Sequence, residues 1–147
     1  MADRTESRTH VDAAPADVLA VIADLEAYPQ WANGMKDVKV LSRDGDGRPE
    51  QARFVVDSGP VSDTYTLAYT WDVAPDGTGT VSWRLVEAQV ITRLDGEYEL
   101  VADGDGTDVF YRLTVDVRIP MLGMLKRRAE KVVIDTALKE LKKRAEG

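Results

Sequence analysis

The spacing of hydrophobic residues changes twice along the chain, and the first change comes near the N-terminus. Thr5–Val11 alternates weakly and predicts a first strand. Residues 12–25, DAAPADVLAVIADL, carry a proline near the first turn with apolar residues behind it, which predicts a helix. Residues 25–35, LEAYPQWANGM, predict a second short helix. They place two large rings, Tyr28 and Trp31, at a joint where small or polar residues are usual.

After this joint, the spacing changes to the alternation expected of strands, and this pattern continues to Val117. Asp37–Leu41 predicts a strand, and further strand-like runs are separated by turn sequences such as PDGTG and DGDGTD, as in an antiparallel meander. Pro120 ends this region, and Met121–Ala145 predicts one long amphipathic helix. The apolar face expected for this helix consists of Leu122, Leu125, Ala129, Val132, Val133, Ala137, Leu141 and Ala145.

This order of elements predicts an α+β fold. One strand, two short helices, about six strands and a long helix give a sheet of about seven strands facing one helix. A twisted sheet of that size offers more concave area than a single helix covers. The remaining space is therefore expected to be filled by large side chains or left as a cavity.

Strand parity indicates which side chains face that space. In TYTLAYTW, Tyr65, Tyr69 and Trp71 share one face with a leucine, while threonines and an alanine share the other. The same alternation places Trp83, Tyr98 and Tyr111 on the inward side of the later strands, together with aliphatic residues. Burial of an unpaired charge is costly, so the interior is expected to hold two tryptophans, four tyrosines and no charged residue.

Composition narrows the classes of partner. The 147 residues suit one domain, and nineteen basic against twenty-six acidic residues give a net charge of −7. This charge argues against binding nucleic acid or an anionic membrane surface. The polar N-terminus does not resemble a signal peptide, and no apolar run has the length of a membrane span. The absence of cysteine suits the cytoplasm, which is the location we expect.

The chain resembles a known family over nearly its whole length. APADVLAVIADLEAYPQWANGMKDVKVL, TLAYTW, VSWRLVE, GEYEL, TDVFYRLTVDV and ALKELKKRAE look like the polyketide cyclase/dehydrase family. That family belongs to the START-like (helix-grip, SRPBCC) superfamily, which includes birch-pollen allergens, lipid carriers and coenzyme Q-binding relatives. The most specific motif is D-L-E-x-Y-P-x-W, Asp24 to Trp31.

The resemblance implies a fold and a kind of site. It implies a curved seven-stranded antiparallel sheet that grips a long C-terminal helix around a hydrophobic cavity, in one ligand-binding domain spanning residues 1–147. It also implies that the segment around Tyr28 and Trp31 lies beside the cavity. The ligand-contacting residues expected on this basis are Tyr28, Trp31, Tyr65, Tyr69, Trp71, Trp83, Tyr98, Tyr111, Leu122 and Leu125.

Each of these residues also has a purely structural interpretation. The inward rings fill a core equally well, because aromatic side chains bury much area. Tyr28 and Trp31 form either the mouth of a pocket, facing the start of the last helix near Met121, Leu122 and Met124, or a clamp that only fixes the helix joint.

The sequence offers little for metal, cofactor or acid–base chemistry. With one histidine and no cysteine, no zinc site or cofactor is expected, and His10 is expected on the outer surface, away from any Ser-His-Asp triad. The resemblance implies that aromatase/cyclases of this type use an inward arginine on a central strand. The corresponding stretch here, AYTWDVAP, contains no arginine. Arginines 53, 84, 93 and 112 fall on outward parity or near strand ends.

Two functions of different classes remain. The first is a carrier or sensor, monomeric or homodimeric, that holds a small hydrophobic ligand such as a polyketide, isoprenoid or lipid-like molecule. The second is a polyketide aromatase/cyclase or dehydratase that folds its substrate and uses tyrosine hydrogen bonds. The charge-free interior expected from parity favours binding, because no group there titrates near neutral pH.

Overall fold

The computed structural model describes residues 4–57, 62–118 and 123–147, with side chains in the last helix from residue 127 onward. The elements in chain order are β1 (Thr5–Val11), α1 (Pro15–Ala23), a 3₁₀-helix (Leu25–Gln30), β2 (Met35–Arg43), β3 (Pro49–Asp57), β4 (Ser62–Val73), β5 (Gly79–Ala88), β6 (Ile91–Asp103), β7 (Gly106–Val117) and α2 (Gly123–Glu146).

The seven strands form one antiparallel sheet, which confirms the predicted α+β fold. Their order is β1-β7-β6-β5-β4-β3-β2, so β2 to β7 form a meander and β1 joins its far edge beside β7. Register shifts interrupt β2, the β4–β5 pair and the start of β6. Such bulges bend strands and increase their twist, which helps the sheet to curve.

The predicted alternation of the strands is confirmed on the inner face. Tyr65, Leu67, Trp83, Tyr98 and Tyr111 are buried. Aliphatic residues of β1, β5, β6 and β7 complete a core in which Val11, Val81, Val109 and Leu113 are fully shielded from solvent. The helices that follow β1 add Val18, Ile22 and Leu25 to this core.

Two carboxylates contradict the expectation of an interior without charges. Asp63, at the start of β4, is buried and accepts the backbone N–H groups of Thr64, Gln89, Val90 and Ile91 at 2.7–3.1 Å. It therefore holds the turn between β5 and β6. Glu130 of α2 is also buried. Both are tolerated because backbone or hydroxyl donors satisfy the oxygens.

Helix α2 also presents a different face to the sheet from the one expected. Ile134, Leu138 and Leu141 are buried with Glu130, whereas Val132 and Val133 are 61% and 47% exposed. Ala129 is exposed too, while Leu141 is buried and Ala137 and Ala145 pack against the core, as predicted. The predicted face residues Leu122 and Leu125 lie outside the described side chains. None of the described helices combines the length and apolar character that crossing a bilayer requires.

Three glutamates of α2 explain why this face of the helix, and not the predicted one, is turned towards the sheet. Each of them accepts a backbone N–H group from a different element. Glu130 accepts from Val115 of β7 at 2.6 Å and also from the Thr5 hydroxyl at 2.7 Å. Glu140 accepts from Asn33, after the 3₁₀-helix, at 3.0 Å. Glu146 accepts from Asp12, after β1, at 2.8 Å. The helix is thus fixed at three positions, from residue 130 to its last residue, by charge-assisted hydrogen bonds.

A close contact on the inner face requires a glycine. Trp83 of β5 pairs with Gly96 of β6, and the indole ring lies over that glycine. A Cβ atom at position 96 would come within 2.6 Å of the Trp83 ring and 2.9 Å of the Arg112 carbonyl oxygen. The absence of a side chain at Gly96 therefore provides the space in which the ring lies.

Gly96→Ala is expected to destabilise the protein by about 1–3 kcal/mol, because the added methyl group overpacks a site bounded by backbone on one side. Gly45→Ala is the matched control, since nothing lies within 4 Å of a Cβ at that position. The control is expected to change the unfolding free energy by less than about 1 kcal/mol. Urea denaturation measures both, and equal effects would contradict the proposed contact.

Asp63→Asn is expected to lower stability at neutral pH by about 1–3 kcal/mol, because an amide replaces an acceptor that holds several N–H groups. Burial alone raises the pKa of Asp63, but the backbone donors outweigh it and hold that pKa below its usual value. Stabilisation by the carboxylate is therefore present above the ordinary aspartate pKa and is lost as the pH falls through the lower folded-state pKa.

The corresponding measurement is urea unfolding from about pH 7 to about pH 2. The wild type should lose more stability over this range than Asp63→Asn. Exposed Asp37 provides the control, and Asp37→Asn should follow the wild-type curve. Parallel curves for the wild type and Asp63→Asn would show that the carboxylate has no such role.

Candidate functional site

Aromatic rings on the inner face form one connected network. All eight ring residues predicted from the sequence belong to it, and one further ring joins them. The members are Tyr28, Trp31, Phe54, Tyr65, Tyr69, Trp71, Trp83, Tyr98 and Tyr111.

Strand register brings these rings together. Tyr69 pairs with Trp83 across β4 and β5, and Tyr98 pairs with Tyr111 across β6 and β7. The ring centroids of these pairs are 5.9 Å and 4.5 Å apart, and Trp83 connects them through a contact of 5.4 Å with Tyr98. Cross-strand aromatic pairs of this kind stabilise sheets, so the network has a structural role whatever else it does.

Phe54 is the network member that the sequence reasoning did not single out. It is buried on β3, stacks on Tyr65 at 5.3 Å and contacts Tyr28 at 6.4 Å. The run Ala52–Phe54–Val56 alternates in the same way as the later strands and was sufficient to find it. Phe54 links the rings of the 3₁₀-helix to those of the sheet.

The buried tyrosines and Trp83 keep a small part of their surface accessible to solvent. Tyr28, Tyr65, Trp83, Tyr98 and Tyr111 each keep 7–9% of their surface accessible, whereas Val11, Val81, Val109 and Leu113 keep none. Tyr69, Trp71 and Trp31 are only half-buried. These rings are therefore less completely shielded than the innermost aliphatic residues of the core.

The tyrosine hydroxyls divide into two kinds. The hydroxyl of Tyr28 donates to the carbonyl oxygen of Ile22 at 2.5 Å, which ties the 3₁₀-helix to α1. The hydroxyls of Tyr65, Tyr69, Tyr98 and Tyr111 make no hydrogen bond to any residue in the described part of the chain. They are also not among its solvent-inaccessible polar atoms. These four hydroxyls are available to a molecule beside the rings.

Burial raises the pKa of all five network tyrosines above the usual tyrosine value. A buried phenolate has no compensating cation here, since the buried residues of the described chain include no lysine or arginine. The hydroxyls consequently remain protonated around neutral pH and act as neutral donors and acceptors.

The joint that contains Tyr28 and Trp31 forms one end of the network. Trp31 meets Tyr28 edge-on at 5.0 Å, and the backbone N–H of Trp31 donates to the Tyr28 carbonyl at 3.1 Å. At another edge, the indole N–H of Trp71 donates to the Pro49 carbonyl at 2.6 Å. The predicted ligand contacts Leu122 and Leu125, and the predicted neighbours Met121 and Met124, lie outside the described side chains.

The arginines considered for catalysis lie away from the network. Arg112 points to the outer face and pairs with Glu97 at 2.7 Å, Glu99 at 2.9 Å and Glu6. Arg93 pairs with Asp95 at 2.8 Å. Arg53 and Arg84 are exposed, as their outward parity predicts.

His10 lies on the outer surface, as predicted, with 42% of its side chain exposed. Its Nδ1 atom is 2.9 Å from Asp108, and this hydrogen bond raises the pKa of the imidazole, with help from Asp103 and Asp12. His10, Asp103 and Asp108 offer ligand atoms within 4.8 Å of one another. The hydrogen bond accounts for that spacing without a metal ion.

Solved structures share this architecture. A START superfamily protein from Mycobacterium smegmatis has 26% identity and a TM-score of 0.88, with 97% of each chain covered. The Zhui aromatase/cyclase from Streptomyces sp. R1128 has 19% identity and a TM-score of 0.78, covering 99% of this chain and 94% of its own. A STAR-related lipid transfer protein from Xanthomonas axonopodis has 23% identity and a TM-score of 0.76, covering 97% and 85%.

Sequence comparison points the same way. No curated protein sequence matches the chain. The profile of the family described as "Polyketide cyclase / dehydrase and lipid transport" matches residues 11–142. With this match, the seven-stranded sheet, the C-terminal helix and the START-like neighbours, the chain belongs to the polyketide cyclase/dehydrase and lipid transport family.

Proposed function

We propose that the chain is a single domain that binds a small hydrophobic ligand against the ring network, between the sheet and α2, as a carrier or sensor. The observation that carries this proposal is a set of four accessible tyrosine hydroxyls, those of Tyr65, Tyr69, Tyr98 and Tyr111, which have no hydrogen-bond partner in the described part of the chain. They belong to the otherwise apolar ring network, whose surface we call the wall. A few accessible polar groups on a mostly apolar surface are typical of small-molecule sites, so an oxygen-bearing ligand fits this arrangement.

The wall favours an uncharged ligand. Its tyrosines are neutral, and the buried residues of the described chain offer no cation to pair with a carboxylate or phosphate. Asp63 and Glu130 already bind backbone donors. A polyketide, isoprenoid or other lipid-like molecule with carbonyl or hydroxyl oxygens fits these conditions.

The alternative is a polyketide aromatase/cyclase or dehydratase. It is supported by the fold shared with the Zhui aromatase/cyclase over 99% of this chain. The raised tyrosine pKa values weigh against it, because they move these groups further from neutral pH, where a general acid works best. The outward arginines weigh against it as well. Catalysis by the ring network would depend on holding the substrate in a folded conformation that brings its reacting groups together.

The proposal places the protein in the cytoplasm as a monomer or homodimer without a nucleic-acid partner. The lack of cysteine supports the cytoplasm, and the net charge of −7 argues against a nucleic-acid partner.

Native mass spectrometry of the purified protein tests the proposal directly. We expect an adduct whose mass, after release into organic solvent, corresponds to an uncharged apolar molecule. Incubation with a polyketide thioester separates the two functions by chromatography and mass. A dehydratase or aromatase gives a product lighter by one water, a cyclase gives an isomer with a different retention time, and a carrier returns its ligand unchanged. A protein that has no adduct and binds no neutral apolar probe would refute the carrier proposal.

Replacement of Tyr98 or Tyr111 by Phe is expected to weaken binding of Nile red, a neutral carbonyl-containing dye. Each loss should be about threefold to tenfold, the value of one hydrogen bond. Stability should change little, because these hydroxyls bond to no described residue. Tyr28→Phe is the matched control and should show the reverse pattern. It loses the bond to Ile22 and about 1 kcal/mol of stability, with little effect on dye binding.

Fluorescence titration and urea unfolding of all three variants provide the two measurements. If Tyr98→Phe and Tyr111→Phe bind the dye as tightly as the wild type, their hydroxyls do not face the ligand.

Trp31→Ala tests whether the joint forms the mouth of the site. If half-buried Trp31 guards an entrance, its removal should change the rate of dye uptake several-fold and cost less than about 1 kcal/mol of stability. Fully buried Leu25 is the structural control. Leu25→Ala should cost about 2–5 kcal/mol, as for other core truncations, without a comparable change in rate. A Trp31→Ala protein that unfolds, or takes up dye at the wild-type rate, would identify Trp31 as a clamp.

A further inference from the structure

The charges of the chain are unevenly divided between α2 and the rest. Eight of the nineteen Lys and Arg residues and only four of the twenty-six acidic residues lie within residues 123–147. This segment therefore carries +4 within a protein of net charge −7, and the remainder carries −11. A net charge averaged over the whole chain hides this division.

The acidic residues of α2 all bind the body of the protein. Glu130, Glu140 and Glu146 accept backbone N–H groups, and Asp135 accepts the hydroxyl of Ser7 at 2.8 Å. Asp135 and Glu146 are exposed, but each is also paired with a lysine of the helix, Lys131 at 3.2 Å and Lys142 at 2.6 Å. The outward face of the helix is therefore basic because of how the helix is attached.

Of the cations whose side chains the structure describes in α2, three take no part in this attachment. Lys131 binds Ser7 and Asp135, Lys142 binds the His10 carbonyl and Glu146, and Arg144 binds Gln30. In contrast, Arg128, Lys139 and Lys143 are exposed and make no hydrogen bond or ion pair within the described residues.

Arg128, Lys139 and Lys143 share one side of the helix with an apolar residue. Positions 128, 132, 139 and 143 lie along one line in a helix of 3.6 residues per turn, and this line spans roughly 22 Å. It also contains Val132 and Asp135, and Asp135 is paired with Lys131 at 3.2 Å. Val133 follows Val132 and lies about 100° further round the helix. Val132 and Val133 are the two most exposed large hydrophobic residues of the described chain. We call Arg128, Val132, Val133, Lys139 and Lys143 the outer ridge.

We propose that the outer ridge docks on a bilayer surface that carries anionic headgroups. Cations flanking exposed apolar residues on one helical face are typical of helices that lie in the membrane interface. The ridge is convex, and a surface of mobile headgroups adapts to it without a matching groove. An isologous contact between two copies would instead bring the same three cations against their symmetry mates.

The acidic remainder of the protein does not prevent this docking at physiological salt. The screening length is about 8–10 Å under those conditions, whereas a helix with its side chains is already about 10–12 Å across. The sheet lies behind α2, so its outer carboxylates are screened from the bilayer, while the ridge cations touch it. This proposal is independent of what the ring network binds.

Sedimentation with vesicles tests the proposal in the intact protein. At about 0.1 M salt, the protein should bind vesicles of phosphatidylcholine with about one-third phosphatidylglycerol, and bind phosphatidylcholine alone at least tenfold more weakly. Arg128→Gln, Lys139→Gln and Lys143→Gln together should reduce binding by at least about tenfold, since each cation contributes roughly fivefold. Wild-type protein that does not distinguish the two kinds of vesicle would overturn the proposal.

Matched controls separate the ridge from net charge and general hydrophobicity. Lys39, Arg53 and Arg84 are exposed on the strands, and their combined replacement by Gln changes the net charge equally. That control should bind within about twofold of the wild type. Val132→Ser with Val133→Ser should weaken binding several-fold, whereas Val86→Ser with Val101→Ser, at exposed sheet positions, should not. Equal losses in test and control variants would contradict a ridge-specific contact.

Two further measurements complete the test. Light scattering should show the same oligomeric state for the wild type and the ridge variants. A dimer that the ridge variants dissociate would assign the ridge to a second copy instead. Nile red titration without vesicles keeps the two proposals apart, because ridge variants should bind the dye normally. Vesicle binding by a protein that takes up no dye would leave the docking intact and refute only the carrier.

Discussion

One helix has to cover the concave face of a seven-stranded sheet, and most other features of the molecule follow from this mismatch. In the described part of the chain, α2 packs on β1, β7 and α1 at one side of the sheet. The 3₁₀-helix packs on β2 at the other side. The strands between them present rings together with smaller aliphatic side chains, because large side chains reach across a gap that backbone elements leave open. Phe54, Tyr69 and Trp83 occupy this middle region and join the two sides.

The attachment of α2 also depends on polar contacts as much as on its apolar stripe. Only Ile134, Leu138 and Leu141 among its described large apolar residues are buried, and its glutamates bind backbone groups that the sheet and loops leave without partners. Glu130 is the clearest case. Its carboxylate accepts the N–H group of Val115, two residues beyond Leu113, the last β7 residue that pairs with β1 in the described part of the chain. A buried acceptor used in this way fixes the rotation of the helix, and thereby decides which residues face outward.

These polar contacts explain which buried residues could be predicted from the sequence and which could not. Alternation in β4 to β7 identified Tyr65, Tyr69, Trp71, Trp83, Tyr98 and Tyr111, because a period of two leaves only one face for apolar residues. The same rule could not anticipate Asp63, since its parity is that of a core position and its partners lie in a distant turn. The face of α2 was misassigned for a related reason. Val132 and Val133 are apolar, so they appeared buried, yet backbone donors placed Glu130 inward. The ligand contacts of the network were inferred from the family resemblance, and they remain predictions.

The choice between carrier and catalyst depends on two features of the ring network. It contains neutral hydroxyls, and it has no described group suited to acid–base catalysis near neutral pH. A catalyst for polyketide chemistry has to stabilise developing negative charge and move protons near neutral pH. Among the buried residues described here, the two carboxylates are held by backbone donors, and burial raises the tyrosine pKa values. These features make the wall a weak source of acid–base catalysis. They make it a good environment for an uncharged molecule, because neutral hydroxyls satisfy ligand oxygens without requiring a counter-ion. The arrangement that disfavours proton transfer is therefore the one that favours binding and release of an intact ligand.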